Sequence, residues 1–303
     1  MGDTAVGDTA AGDTAAGDTA AGDTAAGDTA AGDTAAGDTA AGHTAVGHAV
    51  VHFEVGAADD GPLVAFYGQL FGWGLQPFPG GGYTMVDTRG GSGINGGIGR
   101  SQTGEPWSAF YVETDDLQAT LDKAASLGGS VVLPVTDFGG AVTIAMFGDP
   151  DGLLVGLVTA PPAAAQRDGP APSAGHGEPV DWFEIIGSDP ARSQRFYADL
   201  FGWTIDASTY PGYAVADTGT GRGIQGGIGG GAEARWAIVY AKVSDADQAL
   251  GRAGQLGGSV VADRSVPALK SAARAALYGS PDEHMKTGAF RDPAGNLFGV
   301  YSY

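Results

Sequence analysis

Two stretches of the chain alternate apolar and polar residues with a period of two and then switch, in the same order, to a helical spacing. The first, His52–Trp73, reads HFEVGAADDGPLVAFYGQLFGW, and the second, Trp182–Trp203, reads WFEIIGSDPARSQRFYADLFGW. Alternation over Val50–Val55 sets Phe53 and Val55 on one side of a strand and His52 and Glu54 on the other. Asp59, Asp60 and Pro62 predict an acidic N-cap with proline in the first helical turn, and Gly72 predicts a left-handed exit. Ser188, Asp189, Pro190 and Gly202 repeat those signals in the second stretch. Phe66 and Leu70 lie four apart, so they share a helix face and are expected to cover the apolar side of the strand. His52 with Glu54, and Trp182 with Glu184, then face away from the helix, on the side where a pocket is expected.

Phe53/Phe183, Glu54/Glu184, Phe66/Phe196, Tyr67/Tyr197 and the run Leu70–Trp73/Leu200–Trp203 pair at a constant offset of 130, so the chain contains an internal duplication. Tyr83–Asp87 and Ile94–Gly99 read as further strands, with counterparts at the same offset. Trp107–Glu113 is a predicted strand, Asp116–Leu127 a helix, and Ser130–Pro134, Ala141–Phe147 and Leu153–Val158 are strands again. Each half therefore reads as strand, helix and three strands, performed twice. Trp236 matches Trp107 at offset 129, whereas the DPxG turns at Asp149 and Asp292 lie 143 apart. The difference places an insertion of about fourteen residues within Ala262–Gly288, carrying Lys270, Arg274, Tyr278, His284 and Lys286, and a basic surface loop or lid are both open readings of it.

Residues 1–47 form a low-complexity tail of GDTAA pentapeptides, with alanine as almost its only apolar side chain, and are expected to be disordered. The expected domains are 48–160 and 179–303, joined by an Ala/Pro/Gly linker at 161–178. The net charge is −20, of which eight charges belong to tail aspartates. An acidic chain is a poor partner for nucleic acid or anionic membranes. With no cysteine there is no disulfide framework and no thiolate chemistry. No secretory signal and no apolar run of spanning length is visible, so a cytoplasmic protein is the expectation.

With FYGQLFGW, FYADLFGW, GGIG twice, LGGSVV twice, DPDG and DPAGNLFG in place, the chain resembles the vicinal oxygen chelate superfamily of glyoxalase, bleomycin-resistance and extradiol dioxygenase proteins. The resemblance covers about residues 48–160 and 179–303. It implies an α+β fold in which βαβββ modules pair to curl a sheet around a cup. It also implies, in enzymatic members, a divalent metal held by four strand positions. At those positions this chain has His52, then Ile98, Pro106 to Ser108, and Gly156. The second half has Trp182, Ile228, Ala237 and Gly299. His52 is the one residue at a family ligand position that can bind metal. One donor does not hold a catalytic ion, so no metal or other cofactor is expected.

Glu54 and Glu184 are the candidate catalytic or ligand-anchoring carboxylates. An acidic group against an aromatic wall has a raised pKa and can serve as acid, base or acceptor, although a structural hydrogen bond is the plainer alternative. His52, Trp182, Trp107 and Trp236 are the candidate pocket residues, while Trp73 and Trp203 read as packing. GSGINGG and GRGIQGG match a dinucleotide fingerprint, but no helical period follows either, so the glycines are assigned to strand curvature. The leading expectation is a metal-independent small-molecule binding protein, as monomer or homodimer. The alternatives are a lyase, isomerase or hydroxylase using Glu54 or Glu184 as base, and a degenerate scaffold.

Overall fold

The structure, a computed structural model, describes residues 47–159, 175–210, 212–230, 235–261 and 285–303. The pentapeptide tail, most of the linker, and the inserted Lys270, Arg274, Tyr278 and His284 lie outside them.

In the first half the order is β1 (Val50–Ala57), α1 (Gly61–Phe71), β2 (Gly74–Pro77), β3 (Tyr83–Asp87) and β4 (Asn95–Arg100). It continues with β5 (Trp107–Thr114), α2 (Leu117–Ser126), β6 (Ser130–Asp137), β7 (Thr143–Gly148) and β8 (Leu154–Thr159). The second half repeats this as β9 (Val180–Gly187), α3 (Pro190–Phe201), β10 (Thr204–Tyr210), β11 (Tyr213–Asp217) and β12 (Gln225–Gly230). Then come β13 (Trp236–Lys242), α4 (Ala246–Gln255), β14 (Ser259–Val260), β15 (Lys286–Arg291) and β16 (Leu297–Ser302). Strand–helix–three strands thus occurs twice in each half. The short β2, directly after the helix stop, was not picked out by alternation.

Each half closes one eight-stranded sheet, ordered β2-β3-β4-β1-β5-β8-β7-β6 and β10-β11-β12-β9-β13-β16-β15-β14. The first strand of every module runs parallel to the last strand of that module, and the two first strands, β1 and β5, pair antiparallel at the centre. The helix is what permits that parallel return.

The cap signals hold in part. Gly72 and Gly202 take φ of 67° and 70°, the left-handed exits glycine makes accessible, and the Asp189 side chain accepts from the Arg192 N–H. Asp60 makes no side-chain cap. Its carboxylate takes Nε and Nη2 of Arg100 at 3.1 and 2.8 Å, while Asp59 accepts from the Gly61 N–H.

The larger correction concerns Phe66. Its ring meets Phe290 of β15, in the other half, at 5.6 Å, and the neighbouring Tyr67 meets Phe298 of β16 at 5.5 Å. Helix α1 therefore covers strands of the opposite sheet as well as its own, and one hydrophobic core runs through both halves. Phe110 of β5 and Phe183 of β9 touch across it at 5.0 Å.

The duplication makes the seam reciprocal. Tyr67 donates to Asp292 of the second DPxG turn and Tyr197 donates to Asp149 of the first, both at 3.1 Å. The Trp73 indole donates to Glu178 O at 2.8 Å, and the Trp203 indole to His48 O at 2.7 Å, so both tryptophans pack and pin the seam. Ile94 N–H reaches Val180 O and Ile224 N–H reaches Val50 O. These crossings run directly over Gly93 and Gly223, where any β-carbon would collide with the opposing carbonyl.

Candidate functional site

Strand register settles which side chains share the face turned away from the common core. Glu54 pairs with Gly97 and Ala109, His52 with Asn95 and Tyr111, and Met85 with Gly97, so these residues and Tyr83 line one outer face. On the second sheet the same rows hold Glu184, Trp182, Tyr240, Val215 and Tyr213.

Glu54 is held by phenols. Tyr83 donates to Oε1 at 2.9 Å and Tyr111 to Oε2 at 2.5 Å, with the Trp107 indole also turned to it. Glu184 sits in the same cage: Tyr213 donates to Oε1 at 3.4 Å, and the Trp236 indole and Tyr240 hydroxyl donate to Oε2 at 2.9 and 2.7 Å. Burial raises both carboxyl pKa values, and the donated hydrogen bonds oppose that rise. The four tyrosines are raised in turn, by burial first and then by the carboxylate they face. Each cage is therefore a fixed acceptor surrounded by donors.

His52 Nε2 lies 2.9 Å from the Tyr83 hydroxyl and 3.9 Å from Glu54 Oε1, and its partial burial lowers its pKa below the usual imidazole value. At the equivalent place in the second half, the Trp182 indole N–H is turned to the Tyr213 hydroxyl but completes no hydrogen bond. The structure thus brings together His52, Glu54 and Trp107 in one group and Trp182, Glu184 and Trp236 in another.

Tyr83, Tyr111, Tyr213 and Tyr240 are the residues sequence reasoning missed. Their signal was available, because they pair at offsets of 130 and 129, the same offsets that relate the glutamates and the tryptophans.

The tyrosines also explain the glycines. A β-carbon at Gly156 would overlap the Tyr111 ring, and one at Gly299 the Tyr240 ring. At Gly97 and Gly227 it would overlap the hydroxyls of Tyr83 and Tyr213. Of the GGIG glycines on β4 and β12, Gly97 and Gly227 are left bare for a phenol to cross, while Gly96 and Gly226 lie beneath the Phe53 and Phe183 rings.

The metal expected of enzymatic relatives is not matched by the described side chains. Gly156 and Gly299, where a final carboxylate would stand, lie beneath aromatic rings, and Ile98 and Ile228 are buried in the core. Among the described residues no three His, Asp, Glu or Cys side chains converge. Also among those residues, no helix is long and apolar enough to cross a membrane.

Paired βαβββ modules, two to a sheet and two sheets to a chain, with a polar cage on each outer face, define the class. The chain belongs to the glyoxalase/bleomycin resistance protein/dioxygenase superfamily, whose sequence profile matches residues 49–157. A bleomycin resistance protein-like N-terminal profile matches 180–219. It is 30% identical over 225 residues to CFP32 of Mycobacterium tuberculosis, a protein carried under the name glyoxylase, covering 68% of this chain and 81% of that one. It is 29% identical over 236 residues to the anthracycline biosynthesis protein DnrV of Streptomyces peucetius, covering 69% and 82%.

Among solved structures, the Mn(II)-bound glyoxalase from Novosphingobium aromaticivorans superposes with a TM-score of 0.52 at 14% identity, over 85% of this chain and 82% of that one. Homoprotocatechuate 2,3-dioxygenase from Brevibacterium fuscum, in complex with 3,4-dihydroxyphenylacetate, gives 0.53 at 12%, over 86% and 82%. At these identities the superpositions establish the fold.

Proposed function

We propose that this protein is a metal-independent small-molecule binding member of the superfamily, which holds an organic ligand against the outer face of a sheet. Glu54 and Glu184 serve it by fixing the phenols and indoles around them. The observation that carries this reading is the position of Tyr111 and Tyr240 over Gly156 and Gly299: where metal-dependent relatives need a carboxylate, this chain needs bare backbone under a ring. A buried carboxylate already saturated by two or three donors orients its neighbours and offers little to a cation. The likeness to DnrV, named for anthracycline biosynthesis, supports a small organic ligand.

A second reading has one observation in its favour. His52, Tyr83 and Glu54 form an unbroken hydrogen-bonded chain, which an acid–base enzyme of the lyase or isomerase kind could use to move a proton. Native mass spectrometry with elemental analysis, on protein prepared without added metal, tests the first reading. The expected result is metal well below one equivalent, with a retained organic mass or capacity for one. Stoichiometric manganese, iron, nickel or zinc overturns it.

A further inference from the structure

The two outer faces descend from one duplicated unit but have not kept the same room. Where the first sheet carries His52, Ala109 and Val158, the second carries Trp182, Ile238 and Tyr301 at the matching places, while the space over Gly56 is taken by the Trp107 ring. Each face packs a cluster, Ala109, Tyr111 and Met146 on the first and Trp182, Tyr301 and Met285 on the second, but Trp182 and Glu184 each keep only 4% of their surface. On the first face the side chains of His52 and Glu54 keep 28% and 13%, and Met85, beside them on β3, keeps 46%.

With Glu54 ionised, the Tyr83–Glu54 bond sets the His52 tautomer. Tyr83 donates its proton to Glu54, so its oxygen must accept from His52 Nε2, which therefore carries the hydrogen. In the second half Trp182, whose indole nitrogen is always a donor, is turned to the Tyr213 hydroxyl without completing the bond. His52 Nδ1 is then a bare acceptor on a partly exposed ring. Trp182 has no such atom.

Building on the binding reading above, we infer that the first outer face takes the ligand while the second is filled by its own side chains. The ligand is a neutral, largely apolar molecule bearing an O–H or N–H that donates to His52 Nδ1, its apolar body lying against Met85. Arg222, which reaches this half from the β11–β12 turn, is already paired with Glu113, and a paired cation does not recruit an anionic ligand.

The test is calorimetric titration of the full chain with 2-naphthol, and with 2-methoxynaphthalene, which has the same rings and no donor. The inference expects one 2-naphthol site, with 2-methoxynaphthalene weaker by about tenfold or more, since it leaves a desolvated acceptor unpaired. His52→Trp, which copies the second face onto the first, removes binding, while Ile238→Ala leaves it unchanged. Should His52→Trp fail to fold, long-range 15N–1H spectra of the wild-type chain give the same answer: the His52 Nδ1 resonance moves when 2-naphthol is added. Two equal sites, indifference to the donor, or binding that survives His52→Trp overturns this inference and leaves the binding reading standing. No binding of either naphthalene overturns this inference, and together with no retained organic mass in the native spectrum it overturns both.

Discussion

Replacing Gly156 by alanine puts a methyl group where the Tyr111 ring lies, and the ring has nowhere easy to go. It is 2% exposed, packed with Met146 and Ala109, and tied to Glu54 by the 2.5 Å bond. Two costs follow. Overpacking a closed site costs about 1–3 kcal/mol. If the ring swings away to relieve it, a hydrogen bond to a buried acidic group is lost, which costs roughly 1.5–3 kcal/mol. Alanine in place of glycine in a strand returns only ~0.5–1 kcal/mol. Because the ring bears one cost or the other, the net expectation for Gly156→Ala is a loss of about 0.5–2.5 kcal/mol. Urea unfolding followed by tryptophan fluorescence and circular dichroism reads it directly. The decisive variant is the double mutant with Tyr111→Val: once the ring is gone the methyl has room, and the cost of Gly156→Ala disappears, leaving the gain of ~0.5–1 kcal/mol that alanine brings to a strand. An unchanged midpoint for Gly156→Ala, or a cost that persists in the Tyr111→Val background, refutes the claim that the ring is why this position is glycine.

Tyr67→Phe and Tyr197→Phe each remove one hydroxyl from a buried Asp at the seam and should cost about 1–3 kcal/mol. The two sites share no partner, so the double mutant should be near additive, and a strong departure from additivity in urea melts would contradict two separate pins. Glu184→Gln tests the buried carboxyl. Burial raises its pKa in the folded chain above the unfolded value, so the folded state holds the proton more tightly. Its stabilising contribution is complete below the unfolded pKa and is lost as pH rises through the folded one. Unfolding free energy measured from pH 4 to pH 8 should therefore fall less steeply for Glu184→Gln than for wild type; parallel curves would show that the residue does not titrate differently on folding.

Period-two alternation was enough to place His52 and Glu54, and Trp182 and Glu184, on one side of their strands. The cap residues and the repeated FYxxLFGW were enough to place the helices behind them. The constant offset established that the chain is one unit written twice. All of this is local, because strand and helix periods act over a few residues. The tyrosine cages were not read, since Tyr83 and Tyr213 stand 29 residues from their glutamates and reach them only through sheet register. Phe66 was assigned to its own half for the same reason. Asp60 was given to a helix cap, but a bidentate arginine forty residues away holds it instead. Above all, the sequence showed glycine at Gly156 and Gly299, and could not say why. The reason is steric and exists only after folding: Tyr111 and Tyr240 cross neighbouring strands at heights where only a hydrogen fits beneath them, so the choice of glycine belongs to the packed sheet and not to the strand that carries it.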